Sequence, residues 1–351
     1  MTSAKLPPAS LRLRLDREAL ADNWRYLDSL SAASTATGAA VKADAYGLGV
    51  DAVMPVLQEA GARNFFLAHW SEVPAALEHA DGPSLSVLHG VRTPDEARFA
   101  RETGVLPVIN SVRQAALWSE VGGGACHLMI DTGINRLGIA PAQTSDPAIE
   151  ALDVDIAMSH LACADEDSPH NTAQLERFRE CAKGVSARGL SLANSAGISL
   201  GSDYHFDLTR PGIALYGGAP VGEMHGKIAQ VAFPEAAIIQ IRDLSPGDSV
   251  GYNAMWTADR PVRVATVSIG YADGFLRALG PDGALQHGGD TLPILGKVSM
   301  DMIIVDVTNS DASEGDFLTI PFDLPALSAR SDLSQYELLT VLGGRFDRTT
   351  G

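Results

Sequence analysis

Lys42, in the stretch VKADAYGLG, is the residue whose surroundings most favour amine chemistry. The run before it, GAAV, reads as a strand, and the loop after it carries two glycines. An amine drawn partly out of water at such a strand end loses proton affinity, because desolvation penalises the charged form. The free base then attacks a carbonyl carbon or accepts a proton. Alone, a strand-end lysine is more often a solvated surface charge. Here it has company. Apolar runs also end at His69, His89, Asn110, Asp131, His160, Asn194 and Arg210. Taken singly, His160 is more often structural and Arg210 a cap on a strand. Brought together, such residues would line one surface with proton carriers and anion-binding groups.

The elements that would bring them together form a repeat. Up to about residue 215, the runs GAAVKA, NFFLAH, LSVLH, LPVIN, HLMID, DIAMSH, LSLAN and FDLTR alternate with helix-like stretches at 94–102, 112–119 and 172–187. Strands alternating with helices imply parallel βαβ units, and eight of them are the measure of an α/β, TIM-type (β/α)8 barrel. A doubly wound open sheet is the alternative. Barrel active sites gather at the C-terminal strand ends, where these polar residues fall, and that favours the barrel.

Beyond about residue 225 the texture changes. AAIIQIRDL, RVATVSIGY, LPILGKV and MIIVDVT are β-branched runs broken by Gly, Pro and Asp turns such as SPGDSV, with little helical period. The expected organisation is an N-terminal strand within 1–12 packing on the C-terminal domain, a barrel over 13–224 and a β-rich C-terminal domain over 225–351. The alternating LRLRLD supplies the first strand.

The 351 residues carry a net charge of −17, which repels nucleic acid and anionic membranes, so neither is expected as a partner. An anionic small molecule needs a local positive patch instead. Cys126, Cys163 and Cys181 have neither metal-ligand spacing nor the density of a disulfide framework, and no metal site is expected. The opening MTSAKLPPASLRLRL lacks the apolar core of a secretory signal, and a reducing cytoplasm is the expected setting.

The spacing Lys-x-x-x-Tyr-Gly-x-Gly from Lys42 resembles the lysine motif of bacterial alanine racemases. HLMIDTGINRLGI, SHLACADE, LANSAG, LTRPGIALYGG, SVGYNAMWTA, IGYADGF and GKVSMD follow in that family's order. The resemblance spans nearly the whole chain. It implies a fold-type III pyridoxal 5′-phosphate (PLP) enzyme that interconverts L- and D-alanine and supplies D-alanine for peptidoglycan.

By this resemblance Lys42 carries PLP covalently and is one acid/base group, and Tyr252, in VGYN, is the other. Racemisation requires the pair: one group removes the α-proton and another returns a proton to the opposite face. In the family this tyrosine comes from the second subunit, which implies a homodimer with shared active sites. Arg210 would bond the pyridine nitrogen of PLP. Arginine stays charged and only donates, so the ring nitrogen would remain unprotonated, a weaker electron sink that disfavours transamination. Ser195, Tyr46 and the N–H groups of Gly212 and Ile213 would hold the phosphate, and His160 would pack along the ring. Arg136 and the Met300 N–H would meet the carboxylate of the small amino-acid substrate, with Tyr271 and Asp301 bordering its approach.

The chain also departs from the family. Met129 stands where many members have a carbamylated lysine bracing the arginine, so Arg136 is expected to be held by a bound anion or another side chain. VLGGRFDRTTG lacks the tyrosine that usually touches the phosphate and limits substrate size, and Gly343 or Phe346 would take its place. Looser phosphate anchoring and some turnover of serine are expected, to be checked against the serine rate of a tyrosine-bearing relative. Ser191 and Leu48 each replace a histidine found in other members, with little expected consequence. Two alternatives share the fold: a serine or broad-specificity racemase, and a PLP decarboxylase. The decarboxylases generally place an acidic residue at the ring nitrogen, and Arg210 speaks against that. A PLP-carrier protein with a bare barrel would leave Tyr252 and Met300 unexplained.

Overall fold

The structure, a computed structural model, describes residues 7–350. It divides into two units, Glu18–Ala229 and a second in which the chain up to Arg17 joins Gln230 onward. The first six residues of the expected 1–12 strand lie outside the described residues. The strand itself, β1 (Leu11–Leu15), buries its three leucines and exposes Arg12 and Arg14, the two-residue period of a strand with one wet face.

In the Glu18–Ala229 unit, short strands follow in chain order: β2 (Ala36–Thr37), β3 (Ala39–Ala40), β4 (Phe65–Leu67), β5 (Leu85–Val87), β6 (Leu106–Ile109), β7 (Ala125–Met129), β8 (Asp153–Met158), β9 (Ala187–Ser191) and β10 (Leu208–Thr209). β3 through β9 form one seven-stranded sheet, each strand parallel to the next. The ring is completed by β10. It pairs in parallel with β2, and Asp207 and Arg210 donate their N–H groups to Leu190 and Ala193 on the β9 side, at 3.0 and 2.9 Å. β2 and β3 are one run interrupted at Gly38, where a Cβ would lie 2.9 Å from the Asn64 carbonyl and 3.0 Å from the Phe66 ring. The eight apolar runs of the sequence are thus the strands of a β/α barrel.

The helices start where capping side chains dictate. Thr93 and Ser111 each accept an N–H from three residues ahead, opening Pro94–Thr103 and Val112–Glu120. The helix expected at 172–187 instead runs Pro169–Ala182. Ser168 caps it with a proline in the first turn, a combination that sets a helix start, and residue 187 already belongs to β9.

Within the barrel, His127 of β7 is 4 % exposed. Its Nδ1 accepts the Ile156 N–H at 3.2 Å, so the ring proton is on Nε2, facing the Ser86 hydroxyl at 3.0 Å. Burial, helped by the Arg210 charge, lowers its pKa to about 3. The unfolded chain, with a histidine pKa of about 6.5, therefore binds the proton first as pH falls. The stability this neutral ring contributes is complete above about pH 6.5 and declines toward the folded value, by up to about 1.4 kcal/mol per pH unit. Urea unfolding between pH 8 and pH 5 is expected to show this slope, and His127→Gln to flatten it. An equal slope in both proteins would refute the assignment.

In the other unit, β1 pairs antiparallel with β11 (Ala232–Leu244) and parallel with β19 (Asp347–Thr350). Between these in sequence lie β12 (Ser249–Val250), β13 (Trp256–Thr257), β14 (Val262–Val267), β15 (Ala284–His287), β16 (Asp290–Pro293), β17 (Ile303–Asp306) and β18 (Phe317–Thr319). The sheet runs β16-β15-β18-β11-β1-β19, with β14 on β11 and β17 on β14. Its exposed face stacks Arg12 over Phe317 and Arg14 over Phe233. Reading this region as strands overlooks two short helices, Leu324–Ser331 and Gln335–Thr340. Asp323 caps the first, and Ser334 with Glu337 forms a reciprocal capping box on the second. No helix among the described residues is long and apolar enough to cross a membrane.

Candidate active site

β3 ends at Ala40, and Lys42 follows at the strand-end face of the barrel. There the backbone changes hand. Ala43, Asp44, Ala45 and Tyr46 take φ of 54°, 54°, 51° and 58°, and Gly47 follows at 87°. L-residues avoid this region by roughly 1–2 kcal/mol each, so the turn needs outside support. Its own ladder runs from Ala45 N–H to Val41 O and from Gly47 N–H to Ala43 O, both 2.9 Å. Asp44 accepts the Val50 N–H at 2.8 Å, and Glu72 accepts the Ala43 N–H at 2.9 Å.

The turn delivers Tyr46 onto Gly212. A Cβ there would overlap the tyrosine hydroxyl and lie 3.0 Å from Cζ. The Tyr46 ring also packs at 4.8 Å on Tyr216, whose hydroxyl donates to Ala40 O at 2.8 Å. Gly212→Ala is therefore expected to push Tyr46 aside at a cost of about 1–3 kcal/mol, read as a lowered urea midpoint. An unchanged midpoint would mean that the ring moves freely.

Ser195, Gly212 and Ile213 are buried together. The Ser195 hydroxyl oxygen accepts the N–H groups of Gly212 at 2.9 Å and Ala214 at 3.2 Å, passing over Ile213. Ala214 thus joins the cluster that the sequence suggested.

Arg210, 7 % exposed, donates from Nη1 to the Ser191 hydroxyl and from Nη2 to the Ser159 carbonyl. Ser191 in turn donates to Leu208 O, which turns its lone pairs toward the guanidinium. Burial lowers the Arg210 pKa to about 10, leaving the group charged at neutral pH. Ser191, expected to matter little, is one of the two groups that orient Arg210. It does so across neighbouring strand ends, a contact that local sequence does not announce.

Lys42 feels this charge. Its pKa is lowered by burial first, then by Arg136 and Arg210, while Glu72 opposes them. The His160 pKa falls to about 3 through burial and the charges of Arg210, Arg136 and Lys42. Lys42, Arg136, His160 and Arg210 therefore share one field, a local positive patch in an acidic protein. His69 and His89 stack edge to face at 4.1 Å beside it.

Arg136 is exposed, and its backbone rather than its side chain is fixed. Asp131 accepts the N–H groups of Gly133, Asn135 and Arg136 at 2.9, 3.1 and 3.1 Å. Met129 is buried, and its carbonyl accepts the Ile139 N–H that closes the loop. Asp131 thus shapes the loop backbone that carries Arg136.

In the unit built on β11, the segments of Tyr271 and Met300 are knitted together. Tyr271 N–H donates to Ser299 O and Ala272 N–H to Met300 O, at 3.1 and 3.0 Å. Arg345, which the sequence reading passed over, bonds Asp273 at 2.6 Å and Asp301 at 2.8 Å and so clamps both segments. Tyr252 is 69 % exposed and Met300 53 %. In the C-terminal tail, Phe346 is buried and lines a cavity with Pro234, Phe275 and Phe322. A side chain at Gly343 would come within 2.9 Å of Ala272 O, whereas Gly344 has open space around it.

A β/α barrel carrying a half-buried lysine and a buried arginine at its strand ends, followed by a β-rich unit, defines a two-domain barrel enzyme. The alanine racemase N-terminal domain matches residues 15–220 and the alanine racemase C-terminal domain residues 231–350. Two relatives from Agrobacterium fabrum, named as biosynthetic and catabolic alanine racemases, are each 40% identical; both alignments take in 97% of this chain, with 93% and 92% of theirs. The crystal structure of alanine racemase from Bartonella henselae with covalently bound pyridoxal phosphate superposes with a TM-score of 0.89, at 34% identity, over 98% of this chain and 100% of that one. The chain belongs to the alanine racemase family, and so to the racemases among the isomerases.

Proposed function

We propose that the protein interconverts L- and D-alanine with PLP, as a homodimer whose active sites are shared between subunits. The observation that carries this reading is the convergence of Lys42, Arg210, Arg136 and the Ser195–Gly212–Ala214 cluster on one face of one barrel. These groups fit PLP: an amine of lowered proton affinity for its aldehyde, a buried donor for its ring nitrogen, and a hydroxyl with N–H groups for its phosphate. When bound, PLP supplies the electron-withdrawing ring that makes the substrate α-proton acidic.

Lys42 then carries a proton to or from one face of the α-carbon. Tyr252 of the partner subunit serves the other. Arg210 donates to the ring nitrogen and keeps a proton off it. His160 packs along the ring, Tyr46 and Ile213 help hold the phosphate, and Arg136 orients the substrate carboxylate together with the Met300 N–H of the partner subunit. Tyr271 and Asp301 border the approach.

Exposure supports the dimer. Seven large apolar side chains are exposed among the described residues, and Tyr252, Met255, Met300 and Met302 are four of them. Their segments adjoin, Gly251 lying beside Lys297. Such clusters mark association surfaces. The absence of the family's C-terminal tyrosine from VLGGRFDRTTG favours some acceptance of serine beside alanine. The two enantiomers have equal free energy, so consumption sets direction, and we assign the supply of D-alanine for peptidoglycan in the cytoplasm.

The test is chiral chromatography of L-alanine incubated with the protein and PLP. An approach to equal amounts of both enantiomers, abolished in Lys42→Ala, is expected. PLP bound to Lys42 without any D-alanine would overturn the substrate and leave the cofactor.

A further inference from the structure

We propose that Glu72 is a positioning residue for Lys42, tying the residue after the lysine to the neighbouring strand end and setting a negative charge against the amine. This rests on the reading of Lys42 as the PLP lysine. The carboxylate is shared between two pieces of chain. Oε1 accepts the Ala43 N–H at 2.9 Å, while Oε2 accepts the N–H groups of Ala68 at 2.8 Å and His69 at 3.4 Å. Ala68 and His69 follow β4, the strand beside β3. Glu72 therefore bridges two adjacent strand ends at the point where one carries the lysine. Ala43 is also the first left-handed residue, so the tether grips the conformation its sequence resists.

Glu72 is itself held in place. It closes a tight turn, Trp70–Glu72, whose Trp70 indole N–H donates to Gly90 O at 2.7 Å, after β5. The charged groups acting on Lys42 are Arg136, Arg210 and Glu72, and His89 and His160 are coupled to the lysine in turn. Among them Glu72 is the one negative group. Two cations and burial drive the amine toward its neutral form, and Glu72 limits how far.

Two variants separate charge from tether. Glu72→Gln removes the charge and leaves one oxygen to accept, so one of the two anchors is lost. Glu72→Asp keeps the charge but is one methylene too short to span both strand ends. The test uses full-length, PLP-loaded protein. Borohydride reduction with peptide mass mapping first shows whether PLP is on Lys42. The pH at which the lysine–PLP absorbance band changes, and the rate of PLP release to a trapping excess of apo-aminotransferase, are then measured.

In Glu72→Gln the transition is expected to move to lower pH by about one unit, as for a charge removed at close range in a partly wet site, with release about tenfold faster. In Glu72→Asp the transition is expected within a few tenths of the wild-type value, with release still accelerated. A Glu72→Gln protein that loses stability to urea while transition and release stay at wild-type values would overturn the proposal and leave a structural role. Should Glu72→Gln fail to retain PLP, Glu72→Asp decides: wild-type release from it would overturn the tether. Absence of PLP from Lys42 in the unaltered protein would instead sink the proposed function.

Discussion

Tyr252→Phe is expected to keep PLP on Lys42 and to lose racemisation by about 10²–10⁴-fold, the usual contribution of one positioned proton carrier. The substitution removes a single hydroxyl from a ring that is 69 % exposed in its own chain, so folding should be untouched. The informative readout is α-proton exchange in deuterium oxide. With Lys42 intact, exchange should survive from the enantiomer whose proton faces the lysine and vanish from the other. Equal exchange from both would show that Tyr252 is not the second group. A mixing experiment then tests the sharing of sites. A dimer of one Lys42→Ala and one Tyr252→Phe chain contains one doubly altered site and one intact site. Random reassociation should therefore restore about a quarter of wild-type activity. No recovery from dimers shown to have exchanged subunits would mean that each chain uses its own tyrosine.

Arg210→Glu should change what the enzyme makes. At present the guanidinium is fixed by the Ser191 hydroxyl and the Ser159 carbonyl, and in the proposed role it would, as a donor, leave the ring nitrogen without a proton. A carboxylate there accepts instead, favours a protonated ring and strengthens the electron sink, so protonation on the cofactor side competes with return to the α-carbon. The ratio of pyruvate formed to alanine racemised is expected to rise at least about tenfold, a redistribution of about 1.4 kcal/mol between two barriers. Some stability goes with it, since the Ser159 carbonyl loses its partner, at about 1–3 kcal/mol. Pyruvate measured with lactate dehydrogenase gives the answer. An unchanged ratio in a PLP-loaded Arg210→Glu protein would show that this residue does not govern the ring.

The sequence shows most where period and position coincide. The strands ending near Lys42, His160 and Arg210 were legible because each is a short apolar run closed by a polar residue, repeated eight times. The helices at Leu324–Ser331 and Gln335–Thr340 were not, being too short to show a period beside strongly β-branched neighbours. Among the site groups, those belonging to continuous motifs could be named in advance. The contacts of Glu72, Ser191 and Arg345 could not, because their partners Ala43, Arg210 and Asp273 lie 29, 19 and 72 residues away. The reversed hand of Ala43–Tyr46 was equally hidden. No glycine marks it, and the lysine run looked like plain strand as far as Ala43.

That reversal also orders events as the chain is made. Four residues in a disfavoured hand amount to roughly 4–8 kcal/mol of local resistance, more than an isolated loop of Ala, Asp, Ala and Tyr can overcome. The Glu72 carboxylate and the Gly212 surface beneath Tyr46 come from later in the chain. A nascent polypeptide that has emerged only as far as its first strands still leaves the lysine loop unshaped. The loop takes its working form only once residue 212 has arrived and the ring of strands has closed. With Lys42 in its proposed role, maturation of the site is thereby tied to completion of the barrel, and half-made barrels are expected to be inactive.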